Sequence, residues 1–232
     1  MTKVIFLFII ASFIFCNLTA QVSHLVWAKS FNSSGAGAAK AVTVDAAGNV
    51  YTVGSFQDTV DLDPGAGVYN FITYSASYIS KLDASGNFIW AKSIGNCDVE
   101  SIAIDLAGNI YTTGMYSSST DFDPGPGIYT MSGFFDIFIL KLDASGNFVW
   151  VKGIGSNDND YGYSIKVDAM SNIYVSGSYG SMVDFDPGPG AYNLSTPLYF
   201  GDAFILKLKA LGNFVWVKSI GGTAGLDVAY SM

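Results

Sequence analysis

The chain repeats itself about every sixty residues. Trp27, Trp90, Trp150 and Trp216 stand 63, 60 and 66 residues apart. Asp45, Asp105 and Asp168 follow at intervals of 60 and 63. The segments Asp61-Leu62-Asp63-Pro64-Gly65, Asp121-Phe122-Asp123-Pro124-Gly125 and Asp184-Phe185-Asp186-Pro187-Gly188 recur at the same intervals. Copies at one period mark a tandem array of one small structural unit, which must bury its apolar surface against its neighbours.

Each copy reads as four short strands. The first is Val42-Thr43-Val44, matched by 102–104 and 165–167. The second is Val50 to Val53, matched by 110–113 and 173–176. The third is Tyr78 to Leu82, matched by 138–142 and 204–208. The fourth is Phe88 to Lys92, matched by 148–152 and 214–218. These runs are β-branched and aromatic, and turn residues bound them. The turns are written in Asp and Gly. Asp45-Ala46-Ala47-Gly48-Asn49 and Asp83-Ala84-Ser85-Gly86-Asn87 each place Asp first, to accept nearby backbone N–H groups, and Gly fourth, for a left-handed bulge. The third copy departs twice: Ser171 replaces the Gly of one turn and Lys209 the Asp of the other. Of the 19 acidic residues, all but Glu100 are Asp, and no helical period runs through the chain. Four-stranded antiparallel units at this period predict an all-β chain of β-propeller blades, apolar on both faces because neighbours sandwich each one.

Residues 1–20 read as an export signal: Lys3, an apolar run from Val4 to Phe15, and a small residue at Ala20 before Gln21. The run is short for a membrane span. A lipoprotein signal at Cys16 is the alternative, although Phe13-Ile14-Phe15 are bulky where small residues are wanted. The expected location is secreted or cell-surface, with no membrane span in the mature chain. Once the signal is removed, Cys97 is the remaining cysteine, which excludes an internal disulfide and a cysteine zinc site. The formal charge is -8 and the chain contains no Arg, so a nucleic-acid partner is not expected.

Val44 to Gly54 spells Val-Asp-x-x-Gly-Asn-x-Tyr-x-x-Gly. Asp136 to Asp143 spells Asp-x-Phe-x-x-Lys-Leu-Asp, and Gly146 to Lys152 spells Gly-Asn-Phe-x-Trp-x-Lys. In these motifs the chain resembles the secreted bacterial seven-bladed β-propeller repeats (SBBP type). The resemblance implies an exported protein of Bacteroidetes-like bacteria. It carries fold and no chemistry.

The propeller region is expected over 21–232, with blades at 42–94, 102–154 and 165–220. An orphan outer strand is expected at 25–31, and the start of a further blade at 226–232. About three complete blades do not close a ring, which takes about 4–8. The expectation is an incomplete ring with C-terminal truncation, whose partners include further blades of the same parent chain. An open array leaves its end faces uncovered and prone to association.

The loop Asp-x-Asp-Pro-Gly-x-Gly-x-Tyr offers two readings. Asp61 and Asp63, Asp121 and Asp123, and Asp184 and Asp186 pair carboxylates at i and i+2 near Gly carbonyls, which suits calcium. Alternatively the loop is a turn, in which Pro sets φ and Asp caps free N–H groups. The turn reading is preferred, so no cofactor is expected and calcium is the alternative. Recurrence of the Trp residues, and of Tyr51, Tyr111 and Tyr174, in every blade favours packing over ligand stacking. His24 is the one histidine, and no phosphate loop or serine-nucleophile elbow occurs. Strand alternation puts the Asp-x-x-Gly-Asn hairpins on one side of the disc. The Asp-Pro-Gly loops fall on the other, with the irregular connections 32–40, 96–101 and 156–164. That second side is the expected binding face. The expected function is a non-catalytic secreted or cell-surface scaffold for an extracellular protein or glycan. The alternatives are a calcium-stabilised adhesion module and a fragment of a carbohydrate-active enzyme or lectin.

Overall fold

The computed structural model describes residues 25–196, 201–223 and 225–232. The expected export signal over 1–20 and His24 lie outside the described residues. The described chain is all β. In the first blade β1 (Asn32–Ser33) sits on the far end of β3 (Val50–Asp61). β2 (Gly37–Val44), β3, β4 (Asn70–Leu82) and β5 (Phe88–Ile94) follow as an antiparallel meander. The second blade runs β6 (Cys97–Ile104), β7 (Ile110–Asp121), β8 (Thr130–Leu142), β9 (Phe148–Ile154). The third runs β10 (Tyr161–Val167), β11 (Ile173–Gly180), β14 (Gly201–Leu208), β15 (Phe214–Ile220). Its small outer hairpin is a separate pair, β12 (Met182–Asp184) and β13 (Asn193–Ser195).

The hairpins form as their residues dictate. In the first, the Asp45 N–H donates to Asn49 O at 3.0 Å and the Gly48 N–H to Asp45 O at 3.0 Å. Asp45 Oδ1 accepts the N–H groups of Ala47 and Asn49, both at 2.9 Å. Gly48 and Gly108 sit at φ 82° and 83°, and Ser171 takes the same left-handed place at 59°. A non-Gly residue is uncommon there. Lys209 keeps the backbone turn, donating to Asn213 O at 2.8 Å, without a side-chain acceptor.

The middle strands extend well beyond the runs read from sequence. β3 pairs with β4 from Val50↔Leu82 out to Asp61↔Asn70, with a bulge between Phe56 and Asp58. The second blade repeats this bulge between Tyr116 and Ser118. Asp58, Ser118 and Ser181 hold φ of 62°, 59° and 55° at the three equivalent points. A bulge bends its strand and increases the twist. Past it the paired strands form an arm that folds back over the blade. Leu62, Phe122 and Phe185, the middle residues of Asp-x-Asp, are fully buried. Phe122 lies 5.1 Å from Phe138 and Phe185 lies 5.0 Å from Phe204, ring to ring.

The arms keep the Asp-Pro-Gly loops beside the blade connections: the Gly95 N–H donates to Asp121 O at 3.1 Å and the Thr120 hydroxyl to Asn96 O at 2.9 Å. Tyr69, Tyr129 and Tyr192, at the ends of the Asp-Pro-Gly loops, rest 5.0, 4.8 and 5.0 Å from Phe88, Phe148 and Phe214. Those phenylalanines directly follow the second hairpin of each blade. From there the loops lean back along the outer strand. In sequence the arms look like loop because Gln57, Asp58 and Thr59 interrupt the apolar alternation.

The blades stack front to rear. The rear of the first blade (Tyr51, Val53, Ile79, Ile94) packs on the front of the second (Val99, Ile102, Phe138, Leu140). The rear of the second (Tyr111, Ile137, Ile139, Ile154) packs on the front of the third (Ile165, Val175, Phe204, Leu206). Lys40 and Glu100 join the first strands of the first two blades in an ion pair of 2.8 Å.

Candidate functional site

One four-residue ladder recurs in every blade. In the first, Tyr51 faces Lys81 across the β3–β4 register and Lys81 faces Trp90 across β4–β5. The hydroxyls of Tyr51, Tyr111 and Tyr174 donate to Oδ2 of Asp45, Asp105 and Asp168 at 3.1, 3.0 and 3.2 Å. Lys81, Lys141 and Lys207 each set an ammonium 4.9 Å from the centre of the Tyr ring. Trp90, Trp150 and Trp216 meet the same rings edge-on at 6.2, 6.4 and 6.4 Å. The recurring aromatics and acids thus serve one another. Burial raises the Asp105 carboxyl, but donors from Asn109, Tyr111 and Ala107 outweigh it and hold the group below its ordinary value. Burial first, then the Asp105 charge, pushes the Tyr111 phenol up.

The six aspartates of the Asp-x-Asp-Pro-Gly loops sit at the arm tips. Asp61 Oδ1 accepts the N–H of Asp63 at 3.0 Å and that of Tyr69 at 2.9 Å. Asp121 does the same with Asp123 and Tyr129 at 3.1 and 2.8 Å, and Asp184 with Asp186 and Tyr192 at 3.0 and 2.7 Å. Asp63, Asp123 and Asp186 each accept the N–H two residues on, from Gly65, Gly125 and Gly188, at 2.8 Å. The second Gly of the loop has a steric reason. A Cβ on Gly67, Gly127 or Gly190 would lie 2.1, 2.1 or 2.2 Å from the neighbouring Asp Oδ2.

A third locus lies between the second and third blades, built on Asp160 of the irregular connection 156–164, which with Asp158, Tyr161 and Tyr163 belongs to the expected binding face. Asp160 is fully buried. It accepts the Gly180 N–H at 2.9 Å, the Ser156 N–H at 2.7 Å and the Ser156 hydroxyl at 3.0 Å. Burial outweighs these donors and lifts its carboxyl to about 7, with the Asp136 charge adding to the rise. Asp136, itself raised by burial, opens into a cleft of about 520 Å³ lined also by Tyr116, Gly155, Asp184 and Asp186. A Cβ on Gly155 would come within 2.4 Å of Asp136. The Gly that follows the fourth strand, at 155 and again at 221 beside Asp202, was the available sequence signal. Among the described residues no group of three or more His, Cys, Asp or Glu side chains is arranged to hold a metal ion. Cys97 is buried, and burial lifts its thiol to about 12, which makes it unreactive. No helix among the described residues is long and apolar enough to cross a membrane.

No family model matches the chain. It is 24% identical to an uncharacterized WD repeat-containing protein of Acanthamoeba polyphaga mimivirus, over 89% of this chain and 18% of that protein. It is 25% identical to the regulatory protein FlaEY of Caulobacter vibrioides, over 50% of this chain and 12% of that protein. The chain thus spans less than a fifth of either relative. Repeated four-stranded antiparallel blades, reminiscent of β-propeller and WD-repeat proteins, are what structure and comparison support together.

Proposed function

We propose that this chain is part of a non-catalytic β-propeller scaffold, secreted or displayed at the cell surface, that binds an extracellular protein or glycan. Its binding surface is the outward side of the arms that end in the Asp-x-Asp-Pro-Gly loops. One observation carries the reading: the arms display large apolar side chains in successive blades. Val68, Ile72 and Tyr74 are exposed on the first, Ile128 and Phe134 on the second, Met182 and Tyr192 on the third. Exposed apolar groups repeated on rigid supports mark contact surfaces. The acids beside them are engaged in backbone hydrogen bonds, repeated blade by blade, which suits a multivalent surface better than one reaction centre. The test is a glycan array and an extracellular-protein array, probed with the mature chain and with a Val68→Ser, Ile128→Ser double variant. Retained binding by the double variant removes the arms from the reading, and turnover of an arrayed glycan replaces the reading with an enzyme.

A second reading makes calcium a structural ion of the same loops. What favours it is that the N–H groups above fall on Oδ1, leaving Oδ2 of Asp61, Asp121 and Asp184 without a donor among the described residues. Melting with calcium and with chelator decides it. A rise of several degrees with calcium supports the ion, and coincident curves reject it.

A further inference from the structure

The second blade has a gap in a polar chain that the third blade completes. In the third, Tyr179 and Asp202 are cross-strand partners. The Tyr179 hydroxyl donates to Ser219 Oγ at 2.9 Å, and the Ser219 hydroxyl donates to Asp202 Oδ2 at 3.2 Å. Tyr116 and Asp136 are the same pair in the second blade. The place of Ser219, opposite Phe204, is held there by Gly153, opposite Phe138. With no side chain at Gly153 the bridge is missing. Tyr116 is 3% exposed, yet its hydroxyl has no hydrogen-bond partner among the described residues. A phenol buried to this degree usually finds one. Asp136 Oδ1 accepts the Phe134 N–H at 3.3 Å, and Oδ2 has no donor among the described residues. In the first blade Phe56 and Ala76 stand at the two positions, so no such gap arises.

The gap opens into the cleft of about 520 Å³ between the second and third blades. Gly153 lies in the wall of that cleft, and a Cβ on it would come 2.7 Å from the Tyr116 hydroxyl, so the hydroxyl is aimed at the cleft. Gly133 and Gly155 flank the Asp136 carboxylate, which itself leaves no room for a side chain on either. Asp184 and Asp186 line the cleft from the arm of the third blade. Among the described residues no lysine forms an ion pair with Asp136, Asp184 or Asp186. Burial raises the Asp136 carboxyl, as it does for a charge without a counter-ion. Met131 and Ile154 supply the apolar part of the lining.

The missing group is therefore a donor, and the carboxylates around it call for a positive one. We propose that this cleft binds a primary ammonium on an aliphatic stem, the side chain of a lysine on a protein partner, with the ammonium at Tyr116 and Asp136 where the third blade keeps its serine hydroxyl. The ammonium donates to Asp136 Oδ2 and to the Tyr116 oxygen, and its third proton is directed toward Asp184 or Asp186. An ammonium turns its donors to acceptors carried on two blades, whereas a guanidinium is a planar fork. The methylenes lie along Met131 and Ile154, as lysine stems do on apolar surface. A sugar ring finds no stacking platform here, because the Tyr116 ring is buried edge-on against Phe122 at 5.3 Å. The proposal deepens the reading of the arm side as a protein-binding surface and rests on it for the partner.

The experiment is a saturation-transfer NMR titration of the mature chain with Nα-acetyl-lysine N-methylamide. Saturable binding is expected. The same probe acetylated at Nε, which keeps the stem and loses the charge, should bind about tenfold or more weakly. Asp136→Asn should weaken the lysine probe to a similar extent, and Gly153→Ser, which rebuilds the bridge of the third blade, should abolish its binding. Circular dichroism checks the β fold of each variant; if G153S misfolds, D136N, which preserves the shape of the side chain, carries the test. The Val68→Ser, Ile128→Ser double variant should leave this titration unchanged, so failure of the arms and failure of the cleft give different results. Absence of saturable binding overturns the proposal, as does equal binding of the Nε-acetylated probe or binding that D136N leaves intact. Tighter binding of the arginine analogue, of putrescine or of glucosamine overturns the assignment to lysine.

Discussion

Each turn aspartate is a small hub, and its environment decides the sign of its effect on stability. Asp45, Asp105 and Asp168 are held below the ordinary carboxylate value: burial opposes ionisation in all three and is the largest single influence in the first two, yet donors from Asn, Tyr and the backbone together win. Their contribution is present above pH about 4 and is lost as pH falls through the lowered folded values. Tyr111→Phe removes the hydroxyl donor to Asp105 and should cost about 1–2 kcal/mol by urea unfolding at neutral pH, with a smaller loss at pH 3. Asp160 works in the opposite direction. Its folded value is raised to about 7, so the folded state binds more protons than the unfolded chain between pH about 4 and 7, and stability falls as pH rises through that window. Asp160→Asn should flatten that slope, whatever it does to the absolute level. An unchanged slope of urea midpoint against pH would show that Asp160 stays ionised.

At the scale of elements, the hairpins and arms show what the repeat preserves and what it tolerates losing. The hairpin at Lys209 keeps its backbone bonds but lacks the carboxylate that caps its relatives. Lys209→Asp should restore two N–H acceptors and raise stability by about 1 kcal/mol, read as a higher urea midpoint. No gain would mean that the backbone turn alone suffices. The arms make the converse point. Gly127→Ala brings a methyl against the Asp123 carboxylate. It should cost about 1–3 kcal/mol by breaking the Asp123 cap on Gly125, while Gly125→Ala, 3.0 Å from the same carboxylate, costs less.

For the whole molecule, neighbour contact sets the energy of a position, and sequence alone does not. Ile154 and Ile220 occupy the same place in successive blades, yet one is buried between sheets and the other faces solvent. Ile154→Ala should cost about 2–4 kcal/mol and Ile220→Ala under about 0.5 kcal/mol by urea unfolding. Equal costs would mean that the rear of the third blade is covered even in the single chain.

The turn role of the aspartates could be read from spacing, because it depends on turns of fixed length; the ladder that joins them to Tyr, Lys and Trp needed the cross-strand register. The packing role of Tyr111 and Trp150 followed from recurrence. The arms were hidden: polar Gln57 and Asp58 break the alternation, and the bulge that folds each arm back is a backbone event with no apolar signature. The Asp160–Asp136 locus was only half legible, through Asp160 in the irregular connection 156–164. Its members come from different blades, and burial between sheets has no trace along the chain. The repeat therefore determined the four-stranded unit, its hairpins and its two apolar faces, since these rest on interactions between residues close in sequence. Only the tertiary structure decided how far the arms lean along the outer strand and which carboxyl is desolvated, since these depend on how one sheet lands on the next.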